Sequence, residues 1–227
     1  MKKYAIIVAG GQGSRMNTNI PKQFIVLGGK PILMHTIERF HLADTHIEIV
    51  LVLPEKEVPQ WNELCAKYSF HIPHQIALGG ETRFLSVRNG LAKVALDSIV
   101  AVHDAVRPFV SKMLILRCYA EAQSKGSAVP YIPVVESMRK MTEAGNKKVM
   151  RSDYVIVQTP QCFSAFELKK VYAKKGAGYR TTDDASVYET AGKKIHLIEG
   201  ERENIKITFP LDLIIAEAIL RKFPVNG

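Results

Sequence analysis

The first strand constrains this chain more than any other segment. Tyr4-Ala-Ile-Ile-Val-Ala9 is continuously apolar and stops on Gly10-Gly11. An uninterrupted apolar run shows no alternation between a wet and a dry face, so it reads as a strand buried on both sides in the middle of a sheet, with the glycines as a tight exit turn. Such a strand needs helices on both faces of its sheet. The following segments supply them in alternation: helix over 31–42, strand over 47–53, helix over 57–68, short strand over 75–78, helix over 82–95, strand over 99–103, helix over 112–124 closed by Gly126, and strand over 128–133. Strand–helix alternation of this kind predicts an α/β, Rossmann-like, mostly parallel sheet with helices on both faces.

The alternation breaks between residues 134 and 152, where a loose polar and apolar mixture surrounds the turn signal Glu143-Ala-Gly145-Asn146. This reads as a hairpin projecting from the sheet, and an excursion of that kind in a doubly wound fold usually serves as a lid or a partner contact. The chain then returns to the sheet at 155–158. It continues through a helix over 165–174, a short helix over 183–191 with Thr182 as its expected N-cap, strands over 195–198 and 205–207, and a terminal helix over 211–222. Without a repeat, a linker or a low-complexity stretch, residues 1–227 read as one domain with an arm at about 134–152.

No apolar run reaches the roughly 18 residues that a membrane span requires. The short run after Met1-Lys2-Lys3 does not have the length of an export signal. Cys65, Cys118 and Cys162 stand far apart and fit neither a zinc spacing nor a disulfide framework, so a cytoplasmic location is expected. The net charge of +9 calls for an anionic partner. Its lysines and arginines are scattered through the chain, without the long basic block or interleaved aromatics of a nucleic-acid surface, so a phosphorylated small molecule fits better.

The loop after the first strand, Ala9-Gly-Gly-Gln-Gly-Ser-Arg-Met16, points the same way. Glycines let backbone N–H groups approach phosphate oxygens without a Cβ between them. A dinucleotide loop would need a third glycine where Met16 stands, and the Gly-Lys pairs at 29–30 and 192–193 are not followed by the Ser or Thr of a Walker A loop. What remains is a glycine turn with Arg15 inside it and Pro21-Lys22-Gln23 closing it. Two cations on one phosphate-sized loop suit a triphosphate.

The full string, together with Pro-Lys-Gln, resembles the signature of the sugar-phosphate nucleotidyltransferases, whose fold is of the nucleotide-diphospho-sugar transferase type. Gly79-Gly-Glu-Thr-Arg83 with Ser86, His103-Asp-Ala-Val-Arg-Pro108, Thr159-Pro-Gln161, Thr182-Asp-Asp-Ala-Ser186 and Glu203-Asn-Ile-Lys-Ile-Thr208 resemble its cytidylyltransferase branch. Together they are similar to the 2-C-methyl-D-erythritol 4-phosphate cytidylyltransferases of the non-mevalonate isoprenoid pathway. The resemblance implies transfer of CMP from CTP to methylerythritol phosphate with release of pyrophosphate, Mg²⁺ held mainly by the triphosphate, and a homodimer whose arms complete each other's sites.

By the same resemblance, Arg15 and Lys22 stabilise the transition state, while Arg151 and Lys206 aim the attacking phosphate. Ala9, Gly10, Gly11, Gln12, Gly13, Gly80, Glu81, Ser86, Asp104 and Ala105 hold the nucleotide. Asp104, Arg107, Ser137, Arg151, Thr159, Thr182 and Lys206 hold the second substrate. The family often has Asp where this chain has Glu81, and Thr where it has Ser137. Ribitol-5-phosphate cytidylyltransferases share the glycine loop and the His103–Phe109 string and are the nearest alternative. The reaction needs no nucleophilic pair, because the attacking phosphate oxygen is already ionised. His103 therefore reads as an orienting or packing residue. His71, His74 and Cys162 read as structural, Trp61 as packing, and Asp183-Asp184 as helix N-terminal charge.

Overall fold

The computed structural model describes residues 1–10, 20–176 and 178–222. Four predicted nucleotide-loop residues, Gly11, Gln12, Gly13 and Arg15, lie outside the described residues. The elements in chain order are β1 (Lys2–Val8), β2 (Val26–Leu27), β3 (Lys30–Pro31), α1 (Ile32–Ala43), β4 (Ile47–Leu53), α2 (Val58–Lys67), β5 (Gln75–Leu78), α3 (Arg83–Ala92), β6 (Ser98–Asp104), α4 (Lys112–Lys125) and β7 (Ser127–Pro133). They continue with β8 (Arg139–Thr142), β9 (Gly145–Lys148), β10 (Val155–Val157), β11 (Gln161–Ser164), α5 (Ala165–Ala173), α6 (Asp184–Glu189), β12 (Leu197–Glu199) and α7 (Pro210–Lys222).

The main sheet runs β10-β7-β11-β6-β1-β4-β5, with β12 paired to β7. As expected, β1 lies in the middle, parallel to β4 on one side and to β6 on the other. Its residues alternate between two cores. Ala5 and Ile7 face Leu33, Ile37 and Phe40 of α1, Trp61 of α2, and Leu114 and Cys118 of α4. Tyr4 and Ile6 face Phe84 and Val87 of α3, Leu168 and Tyr172 of α5, and Val187 of α6. Each fully buried side chain of this size contributes about 1.5–3 kcal/mol, which is why the two-sided strand organises the domain.

Chain order along the sheet reverses at β1. The first connection leads through α1 to β4, and β6 later closes the opposite side. Such a switch point opens a crevice beyond the carboxyl ends of the strands, here past Val8 and Asp104. The third apolar cluster lies nearby, where Leu27, Ile32, Val106, Phe109 and Ile207 receive Ala216 of α7.

Several local expectations are corrected. Residues 205–207 form no strand; Ile207 N–H instead bonds the Val106 carbonyl as an isolated tie. The cap of α6 is Asp183, whose side chain accepts from Ser186 N–H, and Thr182 is left exposed. A carboxylate at the N-cap outcompetes the neighbouring hydroxyl because it also meets the positive end of the helix. β11 is an addition, antiparallel to both β6 and β7, so the sheet is mixed on that side. The excursion does form a hairpin, β8 against β9, with Gly145 at φ +119°, a conformation that side-chain-bearing residues rarely adopt.

Candidate functional site

Two cavities open in the crevice and share a wall made of Arg83, Asp104 and Lys206. The smaller, of about 170 Å³, lies against the end of β1 and is lined by Ala9, Gly10, Lys22, Gly80, Glu81, Ser86 and Ala105 in addition to that wall. Every described residue expected to hold the nucleotide is therefore brought together here. The larger, of about 470 Å³, lies toward β7 and β10 and includes Arg107, Thr159 and Thr182.

The glycine turn before α3 is held from within. Ser86 Oγ, almost wholly buried, accepts from Gly80 N–H at 3.1 Å, and Thr82 caps α3 by accepting from Leu85 N–H. A Cβ on Gly80 would come within 2.4 Å of Leu85 Cβ, so the turn cannot close over α3 with any larger residue. Ser86 thus braces the glycine turn from within the smaller cavity.

The shared wall is an electrostatic cluster. Asp104 Oδ2 lies 3.0 Å from Lys206 Nζ and 3.2 Å from Arg107 Nε, while Arg107 Nη1 donates to the Asn204 carbonyl at 2.8 Å. Burial opposes ionisation of Asp104, but Lys206, Arg107 and Arg83 outweigh it and hold the carboxyl well below the ordinary carboxylate range. Arg83 is anchored at 2.5 Å to Asp184, whose other oxygen accepts from the Tyr172 hydroxyl at 2.6 Å. Burial works against the Arg83 cation and the Asp184 carboxylate more than compensates, so the guanidinium stays charged.

Behind the wall a chain of hydrogen bonds fixes its own proton positions. Asp104 N–H donates to Thr159 Oγ1 at 3.1 Å. His103 Nε2 stands 3.2 Å from the Arg107 carbonyl, which can only accept, so the proton is on Nε2. Nδ1 is then an acceptor, and the Thr159 hydroxyl donates to it at 3.0 Å. Burial pushes the His103 pKa down to about 4, consistent with a neutral ring. Thr159 thus seats Asp104 with its proton and one lone pair, and it also stands in the lining of the larger cavity.

Ser137 and Arg151 lie in the exposed arm segment and line neither cavity; Arg151 Nη1 donates to the Val135 carbonyl. Other residues contribute without having been assigned roles from sequence. Arg83 stands in both cavity walls, and the Gln161 side chain accepts from Asp184 N–H and Ala185 N–H while donating to Asp183. Asn204 donates to the Thr159 carbonyl. Each belongs to a string already singled out, and that was the available signal. Glu57, which accepts from Gln23 Nε2 at 2.5 Å, belongs to none. The remaining candidates are structural: Trp61 is fully buried and donates to His74 Nε2, and Cys162 is a buried free thiol whose pKa burial raises well above the usual thiol range.

A carboxylate that orients two cations at the meeting of two cavities can bring two phosphorylated ligands together and stabilise charge passing between them. The comparisons agree. The family model for IspD, 2-C-methyl-D-erythritol 4-phosphate cytidylyltransferase, matches residues 4–222. A relative of that name from Bacteroides fragilis is 51% identical over 220 residues, covering 97% of this chain and 100% of its own. The crystal structure of the 2-C-methyl-D-erythritol 4-phosphate cytidylyltransferase from Thermus thermophilus superimposes with a TM-score of 0.81 at 32% identity, over 97% of this chain and all of that one. The 4-diphosphocytidyl-2C-methyl-D-erythritol synthase from Anaerococcus prevotii gives a TM-score of 0.82 at 27% identity, over 96% and 95% of the two chains.

Proposed function

This chain belongs to the 2-C-methyl-D-erythritol 4-phosphate cytidylyltransferase family, and from that premise we propose how its two cavities divide the family's reaction. The chain transfers CMP from CTP to 2-C-methyl-D-erythritol 4-phosphate, giving 4-diphosphocytidyl-2-C-methyl-D-erythritol and pyrophosphate, in isoprenoid precursor biosynthesis. Family membership favours this polyol phosphate over ribitol 5-phosphate.

In our reading, CTP occupies the cavity at the end of β1, with its base and ribose toward Gly80, Glu81 and Ser86 and its α-phosphate toward Lys22 and the shared wall. Arg15 belongs to the same group by sequence. The methylerythritol phosphate occupies the larger cavity, where Arg107 and Lys206 bind its phosphate and Thr182 its polyol. One phosphate oxygen attacks the α-phosphorus, and the bond to the pyrophosphate oxygen breaks. The attacking oxygen is ionised at neutral pH, so no side chain need remove a proton, and the residues act by position and charge. The observation that carries this reading is the shared wall: Arg83, Asp104 and Lys206 face both cavities.

Among the described residues no three His, Cys, Asp or Glu side chains gather as a metal site, and Asp104 is committed to two cations. The donor set fits a Mg²⁺ carried by triphosphate oxygens and water, which would supply neutralising charge to the leaving pyrophosphate. Assay of pyrophosphate release with CTP, UTP and ATP against each polyol phosphate, with and without Mg²⁺, tests the scheme. CTP with methylerythritol phosphate and Mg²⁺ should be fastest. Faster turnover of ribitol 5-phosphate would overturn the substrate assignment.

The reading includes a homodimer in which Ser137 and Arg151 of each arm enter the partner's larger cavity. Its support is exposed apolar surface beside that cavity. Val135, Met141, Met150 and Tyr154 are exposed, as are all three residues of the edge strand β10. An uncovered Val-Ile-Val edge is an aggregation hazard unless another chain covers it. The reading also assigns the enzyme to the cytoplasm, with its three thiols free; sedimentation of the purified chain and cell fractionation test these two points.

A further inference from the structure

Glu57 is a carboxylate in an unusual position. It closes the connection from β4 to α2, is nearly buried, and has no ion pair among the described residues. Its partner is an amide: Gln23 Nε2 donates to Glu57 at 2.5 Å and to the Ala9 carbonyl at 2.9 Å. Gln23 is itself buried, directly follows Lys22, and shares a short 3-10 turn with it and Phe24. Ala9, in turn, is tied by its N–H to the Val52 carbonyl of β4. The two hydrogens of one side-chain amide therefore clamp the turn carrying Lys22 to the end of β1 on one side and to the start of α2 on the other.

A buried carboxylate beside a neutral amide is costly compared with an apolar side chain of similar size. Burial accordingly raises the Glu57 pKa, and only the Gln23 bond and the charge of the adjacent Lys56 counter it. Apolar packing already holds this turn, since Phe24 stacks on Trp61 of α2 at 6.1 Å. What packing cannot do is orient the Gln23 amide. A planar amide that donates both hydrogens to fixed acceptors has one orientation, and a charged acceptor enforces it most strongly.

We propose that Glu57 is a positioning residue for Lys22, acting through the Gln23 amide to fix the Lys22 turn against the Ala9 end of β1. The proposal rests on the assignment of Lys22 to the α-phosphate made above. A different role for Glu57 would be to place negative charge at the N-terminus of α2. The two roles separate on substitution. Glu57→Gln removes the charge but keeps an oxygen that can accept from Gln23, whereas Glu57→Met removes both.

The test measures kcat and both KM values by pyrophosphate release for Glu57→Gln, Glu57→Met, Gln23→Met, the Glu57→Met/Gln23→Met pair and Lys22→Met. Glu57→Met should lower kcat by about tenfold while the KM for methylerythritol phosphate stays within about twofold, because only the Lys22 side is disturbed. Glu57→Gln should stay within about twofold of the wild type in kcat. The double variant should match Gln23→Met alone, since both changes break one link. Equal impairment of Glu57→Gln and Glu57→Met, or additive losses in the double variant, would overturn the proposal. So would an unchanged kcat in Glu57→Met beside a depressed Lys22→Met. If Lys22→Met keeps full kcat, the Lys22 assignment falls and this inference with it. Should Glu57→Met fail to fold, Gln23→Met breaks the link from the other side and must show the same split between kcat and KM.

Discussion

At the carboxyl ends of β1 and β6, Arg107 and Lys206 are held on Asp104, which is seated from behind by Thr159 and His103. In the arm, Arg151 is exposed, bonds the carbonyl of Val135, and stands among other exposed residues. Both regions supply cations to the proposed reaction. The first spends buried hydrogen bonds to fix them within one chain, while the second leaves its cation for another surface to orient. The difference teaches that stability and activity should separate by region: a change at the wall disturbs both, and a change in the arm disturbs activity alone.

Asp104→Ala should give the largest effect. It leaves two neighbouring cations facing each other in a partly desolvated wall. The expected cost is about 3 kcal/mol of stability, together with a fall of roughly 10²–10³ in kcat/KM. Denaturant melts and pyrophosphate release check both, and retained stability with lost activity would break the comparison from the wall side.

The next effect is in pH. His103 has its pKa pushed down to about 4 in the folded chain, from an ordinary value of 6.5. Between these values the unfolded chain binds a proton that the folded chain refuses, so stability is lost as pH falls from 6.5 toward 4. The loss amounts to about 3 kcal/mol over the full window. The depressed pKa of Asp104 acts only below the ordinary carboxylate range and does not enter this window. Denaturant melts at pH 7.5 and 4.5 should show the loss, and His103→Gln should reduce it, leaving the share of His35, whose pKa burial also lowers.

Arg151→Ala should lower kcat/KM by roughly 10²-fold while leaving the melting temperature unchanged, because the side chain is exposed. The smallest pair concerns the start of α6. Asp183→Ala removes the observed cap and should cost about 1 kcal/mol. Thr182→Val should leave stability within about 0.5 kcal/mol and raise the KM for methylerythritol phosphate a few-fold. Reversal of that pair would restore Thr182 as the cap.

The same contrast explains what is legible in the sequence. The bounds of β4 and β5 can be read directly and those of β1 closely: β1 and β4 are buried on both faces and write themselves as nearly unbroken apolar runs, while the edge strand β5 is short and fenced by Pro73 and Gly79. The described loop and wall residues are found from their strings, and the fold brings Ala9, Lys22, Gly80, Asp104 and Lys206 into one cavity. β11 escapes a sequence reading because its four residues, Gln161-Cys-Phe-Ser164, follow Pro160 directly and offer too little pattern; their pairing with β6 is set entirely by tertiary contacts. Ile205 and Ile207 look like a strand because two β-branched residues alternate with Lys206, yet Ile207 is buried in the third cluster against α7, with no strand among the described residues pairing it. Thr159 reads as a substrate ligand from its place in a motif, and what the motif does not reveal is that its hydroxyl also ties Asp104 to His103. Glu57 could not have been found from sequence, since an acid at the start of an amphipathic helix ordinarily faces water.

Subunit mixing tests most directly the claim that one chain's wall works with another chain's arm. Lys22→Ala spoils the nucleotide cavity beside the wall and Arg151→Ala spoils the arm, and each should be nearly inactive alone. If the chain is a homodimer, unfolding and refolding a 1:1 mixture would make half the dimers mixed, and in each of these one site would combine an intact Lys22 with an intact arm. The account predicts recovery to about one quarter of wild-type activity. A mixture that forms mixed dimers yet stays as inactive as its parents would show that each arm serves its own subunit or none, and would contradict the account.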